Sequence, residues 1–237
     1  TQRTRLTRES ELRARLDGSR MMTRQLAHEI RNPLGGLRGA AQLLERQLAT
    51  EDLREYTQVI ISEADRLTAL VDSMAGPKVL PQKVPMNVHE ICEHVFHLLR
   101  GEARATVLVE RDYDPSVPEG AFDKNQLVQA LLNLARNALQ AVGDRGRITL
   151  RTRVASNASI GLDRHRLAVR VEVEDNGPGV PEAIRDSLFY PLVTGRANGT
   201  GLGLAVAQEI VTRNGGAIEF QSEPGRTVFC ILLPLET

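Results

Sequence analysis

From Leu26 onward, the apolar positions Leu26, Ile30, Pro33, Leu37, Ala40 and Leu44 recur at alternating steps of four and three, the seam of a helix that packs on other helices. Leu53, Tyr56, Ile60, Leu67, Leu70 and Met74 repeat the rhythm, with Glu63 in one seam place, until Gly76-Pro77 stops it. Two such stretches predict an αα-hairpin. A lone hairpin has too little core to stand by itself, so two chains are expected to pair into a four-helix bundle. Ahead of the seam, residues 1–24 carry seven Arg, with Glu9/Arg13 and Glu11/Arg15 at the i,i+4 spacing that supports a helix. Leu6, Leu12 and Leu16 along this stretch favour a solvated helical arm over a basic arm for DNA.

Pro77, Pro81 and Pro85 punctuate a connector, after which the pattern changes. A helix is predicted over Val88 to Leu99, a strand over Thr106 to Glu110, and a long helix from Asp123, its N-cap, to Gly143. Ile148, Leu150, Thr152 and Val154 then alternate with Arg151 and Arg153, and Leu167, Val169, Val171 and Val173 alternate with Arg170 and Glu172, which is strand periodicity. A helix near Leu202 to Asn214 and strands around Ile218 and Val228 follow a Gly-rich stretch. The expected fold is multidomain: a helical arm (1–20), an all-α hairpin domain (21–77), a linker (78–84) and an α+β sandwich (85–237).

Composition narrows the function. Thirty Lys+Arg balance thirty Asp+Glu, which leaves no global field to draw in nucleic acid or an anionic membrane, and 3% aromatics without Trp do not make a base-stacking platform. Cys92 and Cys230 stand in no metal or redox pairing. No stretch is apolar enough for a membrane span and no signal peptide opens the chain, so a cytoplasmic protein is expected. His89, Cys92, His94 and His97 crowd one helix, but their spacing matches no familiar metal-ligand set and they read as a half-packed face beside Ile91, Val95, Leu98 and Leu99.

The chemistry starts at His28. With Leu26 and Ile30 inward, His28 takes the position farthest from the seam and faces solvent, where an imidazole can meet a reagent carried by another domain. Glu29 adjoins it and can hold or take a proton from one ring nitrogen while the other attacks phosphorus. Asn32, one turn on, can orient a water or a phosphoryl oxygen, and Pro33 removes the backbone bond to the carbonyl of Glu29.

Three stretches of the second domain suit different parts of ATP. Asp175-Asn176-Gly177-Pro178-Gly179 ends a strand, so Asp175 can accept the adenine amino proton while Gly177 and Gly179 let the base approach the backbone. Gly199-Thr200-Gly201-Leu202-Gly203-Leu204 opens a helix whose unpaired amides attract phosphate, in a spacing unlike either the dinucleotide fingerprint or the P-loop. Asn133 and Asn137 are i,i+4 neighbours on the long helix, flanking Arg136, and one Asn oxygen suffices for Mg²⁺ when a triphosphate and water supply the other ligands.

Taken together, His28-Glu29-Ile30-Arg31-Asn32-Pro33 on a helical hairpin resembles the phosphoacceptor box of sensor histidine kinases. The stretches around Asn137, Asp175, Phe189-Tyr190-Pro191-Leu192 and Gly201 resemble the N, G1, F and G2 boxes of their ATP-binding domain, a fold shared with gyrase, Hsp90 and MutL. Gly225-Arg226-Thr227-Val228-Phe229 is similar to the last box, where the family's Thr helps hold adenine. Asn32-Pro33-Leu34-Gly35-Gly36-Leu37-Arg38-Gly39-Ala40-Ala41, Arg111-Asp112-Tyr113-Asp114-Pro115 and Pro191-Leu192-Val193-Thr194-Gly195-Arg196 look like the nitrogen-regulation branch, NtrB, whose N-terminal sensory PAS domain has no counterpart in these residues.

The resemblance implies a homodimer that uses ATP and Mg²⁺ to phosphorylate His28 and passes the group to an Asp of an NtrC-type response regulator. It also implies phosphatase activity toward that regulator and control by the PII signal protein. It implies nucleotide contacts from Asn133, Arg136, Asn137, Asp175, Gly177, Gly179, Arg196, Thr200, Gly201, Leu202, Gly203, Leu204 and Thr227, with Arg196 on a mobile lid. Two other readings stay open: an ATP-driven conformational clamp, for which the Asn133 to Asn137 stretch lacks the catalytic Glu, and a nucleotide-binding dimer scaffold without phosphotransfer.

Overall fold

The computed structural model describes residues 29–48, 51–75, 80–161, 163–195 and 201–235, with side chains for all of these except 51, 52, 66, 69, 70 and 72–75. The chain divides into two compact units between Lys78 and Val79. Among the described residues no helix is long and apolar enough to cross a membrane.

The first unit is a helical hairpin of α1 (residues 29–47) and α2 (Glu51–Ala75). Leu34 packs on Val71 and Arg38 pairs with Asp65 at 3.0 Å, so the helices run antiparallel. Arg54 closes the corner, its guanidinium donating twice to the Leu48 carbonyl at 3.2 and 3.0 Å. There it satisfies a helix-terminal acceptor and complements the negative end of the dipole. Among the described side chains the buried positions are Leu34 and Ala41 on α1 and Thr57, Ala64 and Val71 on α2, each series stepping by seven. The seam read from sequence lies on a second stripe: Ile30, Leu37 and Leu44 of α1 and Leu53, Tyr56, Ile60 and Leu67 of α2 are exposed in the single chain. The hairpin closes on its smaller residues because these allow close approach of the two helices, and the larger apolar side chains are left in a second stripe.

The second compact unit spans Val79–Thr237, and its first described residues are tied down: Gln82 N–H donates to Asp123 Oδ2 at 2.8 Å and Lys83 Nζ to the Asn214 carbonyl at 2.7 Å. Its elements in chain order are β1 (Val84–Met86), α3 (Val88–Glu102), β2 (Val107–Asp112), β3 (Gly120–Phe122), α4 (Lys124–Val142), β4 (Gly146–Ile160), β5 (Asp163–Asp175), a 3-10 turn (Glu182–Ser187), α5 (Gly203–Arg213), β6 (Ala217–Glu223) and β7 (Arg226–Pro234). Asn87 and Asp123 cap α3 and α4 by accepting from His89 N–H and Gln126 N–H at 2.9 and 3.0 Å.

The main sheet has the order β2-β4-β5-β7-β6, with β2 parallel to β4 and the other pairs antiparallel, while β1 and β3 form a small ribbon. Period-two alternation sends Ile148 and Leu150 of β4, Val169, Val171 and Val173 of β5, and Phe229, Ile231 and Leu233 of β7 into one core with Val95, Leu99, Leu131, Leu134 and Ile210 of the helices. The opposite face is polar. Arg151 bridges Asp112, Glu172 and Glu174 at 2.8, 3.4 and 3.1 Å, and a small cluster of Ile160, Ala168, Cys230 and Leu232 lies beside it. Burial pushes the Cys92 and Cys230 thiols up to about 12, so neither is a nucleophile near neutrality.

The histidine-rich face of α3 is structural. His89 Nε2 lies 2.9 Å from Thr152 Oγ1 and its ring stacks on Tyr113, while His97 leans toward Glu93 at 3.7 Å. Among the described residues no three His, Cys, Asp or Glu side chains are grouped to hold a metal. Burial lowers the His89 pKa from its ordinary 6.5, outweighing the opposite pull of Asp114 and Glu93. The folded chain therefore binds this proton more weakly than the unfolded chain. The stability contributed is complete above about pH 6.5 and is lost as pH falls through the lower folded value. The midpoint of thermal unfolding should accordingly drop as pH is lowered from 7 to about 5.5, and His89→Gln should flatten that part of the profile.

Candidate nucleotide site

A cavity of about 430 Å³ opens where the ends of β5 and β7 meet α4, α5 and the 3-10 turn. Asp175 closes one side. It is 3% exposed, the last residue of β5, and faces Thr227 directly across the β5–β7 ladder. Gly177 N–H donates to Asp175 Oδ1 at 2.9 Å, which fixes the carboxylate against the turn. A Cβ at 177 would crowd this carboxylate, lying 2.8 Å from Asp175 Oδ1 and 3.1 Å from the Ala141 carbonyl carbon. Thr227, also 3% exposed, shares the lining with Asp175, Gly179 and Phe229.

Ile184, Leu188, Val193 and Leu204 give the cavity an apolar wall, and Asn137 and Gln140 line it from α4. A slot of this kind accepts a flat, largely apolar ring whose edge carries a few hydrogen-bonding groups. A row of backbone donors without partners inside a helix lies nearby. Leu202 caps α5 with no side-chain hydrogen bond, and the first helical bond runs from Val206 N–H to the Leu202 carbonyl at 3.0 Å. The amides of Gly203 and Leu204 thus have no acceptor within the helix and present the positive end of its dipole. Gly201, lining the cavity at φ +65°, takes a left-handed conformation, and a Cβ there would lie 2.5 Å from the Leu192 carbonyl carbon. Its carbonyl accepts from Leu192 N–H at 3.0 Å and so cinches the base of the segment between them.

The structure thus gathers Asn137, Asp175, Gly179, Gly201, Leu204 and Thr227 around one cavity, with Gly177 behind the carboxylate and Leu202 and Gly203 at the start of α5. Asn133 sits beside this start, its Nδ2 donating to the Gly203 carbonyl at 3.1 Å, and so acts as a brace between α4 and α5. Arg136 is placed elsewhere: it does not line the cavity and instead grips Glu102 of α3 with its Nε and Nη2, at distances down to 2.5 Å. Its hydrogen bonds hold the Glu102 carboxyl below the usual range. In the helical unit Glu29 and Asn32 are exposed on α1. His28, Arg196 and Thr200 lie outside the described residues.

Sequence reasoning missed Gln140, Val180, Ile184 and Leu188 as cavity walls. Gln140 was findable at i+3 from Asn137. The others sit in a turn whose period carries no signal.

Residues 122–237 match the family described as histidine kinase-, DNA gyrase B- and HSP90-like ATPase, and residues 19–75 match the His kinase A phospho-acceptor domain. The sensory histidine kinase/phosphatase NtrB of Vibrio alginolyticus is 48% identical over 236 residues, covering 99% of this chain and 67% of the relative. NtrB of Escherichia coli O157:H7 is 50% identical over 232 residues, covering 98% and 66%. The chain therefore spans about two thirds of the length of these curated relatives. Among solved structures, full-length ShkA in complex with AMPPNP superposes with a TM-score of 0.72 at 27% identity, over 92% of this chain and 46% of that one. The histidine kinase ThkA in complex with the response regulator TrrA gives 0.61 at 27% identity, over 94% and 64%.

Proposed function

The chain belongs to the NtrB family of sensory histidine kinase/phosphatases, and on that premise we propose that the cavity holds the adenine of ATP, whose γ-phosphoryl group is transferred to His28. The observation that carries this reading is the buried Asp175 and Thr227 pair, facing each other in one slot beside the uncapped start of α5. Asp175 accepts from the adenine amino group and Thr227 supplies a hydroxyl to the ring edge. The amides of Gly203 and Leu204 hold phosphate oxygens, with Gly177, Gly179 and Leu202 shaping the approach. Arg196 and Thr200 are further triphosphate contacts by family resemblance.

A magnesium ion fits this arrangement: Asn137 offers one carbonyl oxygen at the cavity wall, and the ion's other ligands would be phosphate oxygens and water. When bound it neutralises charge on the triphosphate. Phosphoryl transfer depends mainly on positioning and charge neutralisation. In the reading proposed, one His28 ring nitrogen attacks the γ-phosphorus as its bond to the bridging oxygen breaks and ADP departs. Glu29 takes the proton from the other ring nitrogen. The group then passes to an Asp of a response regulator, of the NtrC kind by family, in the cytoplasm. Asn32 aligns the water that hydrolyses the regulator's acyl phosphate, with the PII signal protein biasing the balance.

The exposed stripe of the helical unit fits a second copy of the chain. Ile30, Leu37 and Leu44 on α1 and Leu53, Ile60 and Leu67 on α2 each step by seven, which is the spacing of a bundle seam left open when the hairpin closes. Light scattering should find the parent as a dimer and Leu37→Asp/Ile60→Asp as a monomer. A double variant that stays dimeric would move the interface elsewhere.

A further inference from the structure

On the side away from Asp175, Thr227 neighbours Ser222 of β6, which does not line the cavity. Asp175, Thr227 and Ser222 stand opposite one another in a single transverse row across β5, β7 and β6. Ser222 Oγ lies 2.9 Å from Thr227 Oγ1 and accepts from Val180 N–H at 2.8 Å. Val180 itself lines the cavity.

Resting on the reading that the cavity holds adenine, we infer that Ser222 is a positioning residue that fixes the direction of the Thr227 hydroxyl and thereby sets base selectivity. A single proton occupies the line between the two hydroxyl oxygens. If Thr227 donated it, Thr227 would turn only lone pairs toward the Asp175 carboxylate, itself an acceptor, and Ser222 would accept twice. If Ser222 donates it, every donor in the row points the same way: Val180 N–H to Ser222, Ser222 O–H to Thr227, and Thr227 O–H onward into the cavity that it lines beside the carboxylate. That polarity is the favourable one, and successive hydrogen bonds in such a chain strengthen each other.

The consequence is a donor from Thr227 beside an acceptor from Asp175. Adenine presents the complement, an acceptor at N1 beside a donor at its amino group. Hypoxanthine presents the inverse, a donor at N1 beside an acceptor at O6. A Thr227 hydroxyl held as a donor therefore accepts the first base and rejects the second, whereas a freely rotating one serves either.

The test compares binding of ATP and inosine triphosphate, with Mg²⁺, to the full chain by titration calorimetry. Inosine triphosphate is the chosen competitor because it inverts the hydrogen-bond pattern without adding the 2-amino group of guanine. The ATP preference of Ser222→Ala should fall about tenfold relative to the parent, the worth of one directed hydrogen bond. Ser222→Thr should restore it, and Ser222→Cys, with only a weak donor, should fall in the same direction. In a Thr227→Val background Ser222→Ala should leave the preference unchanged, since the two act as one unit.

The ratio is the diagnostic quantity, because loss of the Val180 bond weakens both nucleotides alike. A preference that stays at the parent value in Ser222→Ala and Ser222→Cys overturns the inference and leaves Ser222 as a tether for Val180. A parent chain that binds both nucleotides equally overturns the adenine reading, and this inference with it.

Discussion

Asp175→Asn should lower ATP affinity roughly a hundredfold, about 3 kcal/mol, while leaving the fold intact. The side chain is 3% exposed, and one of its oxygens already accepts from Gly177 N–H. An asparagine of the same shape keeps that bond only by offering its carbonyl oxygen to the glycine, which turns its amino group toward the base. Two donors, the new amide and the adenine amino group, then face each other in a slot shielded from water, so an attraction is replaced by a repulsion in addition to the loss of a charge-assisted bond. Titration calorimetry with ATP and Mg²⁺ reads the loss, and a circular dichroism melt establishes that the variant is folded. Binding within a fewfold of the parent would remove adenine readout from Asp175.

The fold was most legible where a periodic pattern coincides with a stop signal. Asp123 and Gly143 bound α4 as the sequence predicts, with Asp123 capping the first turn and Gly143 taking the C-cap at φ +62°. The strand alternation of β4 and β5 was visible only over their buried halves. Both strands extend further, to Ile160 and from Asp163, where Ala155, Ala158 and Ile160 pack on the polar face of the sheet and the apolar alternation ends. Which stripe closes the hairpin inside one chain was not legible for a related reason. The heptad marks both stripes of each helix, and composition alone does not tell which pairs inside the chain. Closeness decides it, in favour of Ala41, Ala64 and Leu34.

The site was legible as separate motifs because glycines, carboxylates and amides occur there in unusual combinations. What spacing does not reveal is which motif residues point into the cavity. Arg136 was the natural phosphate partner on charge grounds, yet Glu102 lies within reach on the adjacent helix and engages it. Ser222, at an ordinary strand position, carries no sequence signal at all, since its role comes from the register of three strands.

The second large effect concerns the acceptor. His28→Gln should abolish phosphorylation of the chain, a loss of at least about a thousandfold, since glutamine keeps the length and polarity of the side chain but has no basic nitrogen to attack phosphorus. Binding of ATP, which belongs to the other unit, should be unchanged. This separates a lost acceptor from a lost nucleotide site, and it also separates the kinase from an ATP-driven clamp, in which no phosphoprotein forms. The decisive measurement is incubation of the parent and of His28→Gln with γ-labelled ATP and Mg²⁺, followed by acid and alkali treatment and peptide mapping. The account predicts an acid-labile, alkali-stable label on the peptide that contains residue 28 of the parent and no label on the variant. An acid-labile label that persists on His28→Gln, or a parent that binds ATP and acquires none, would contradict it.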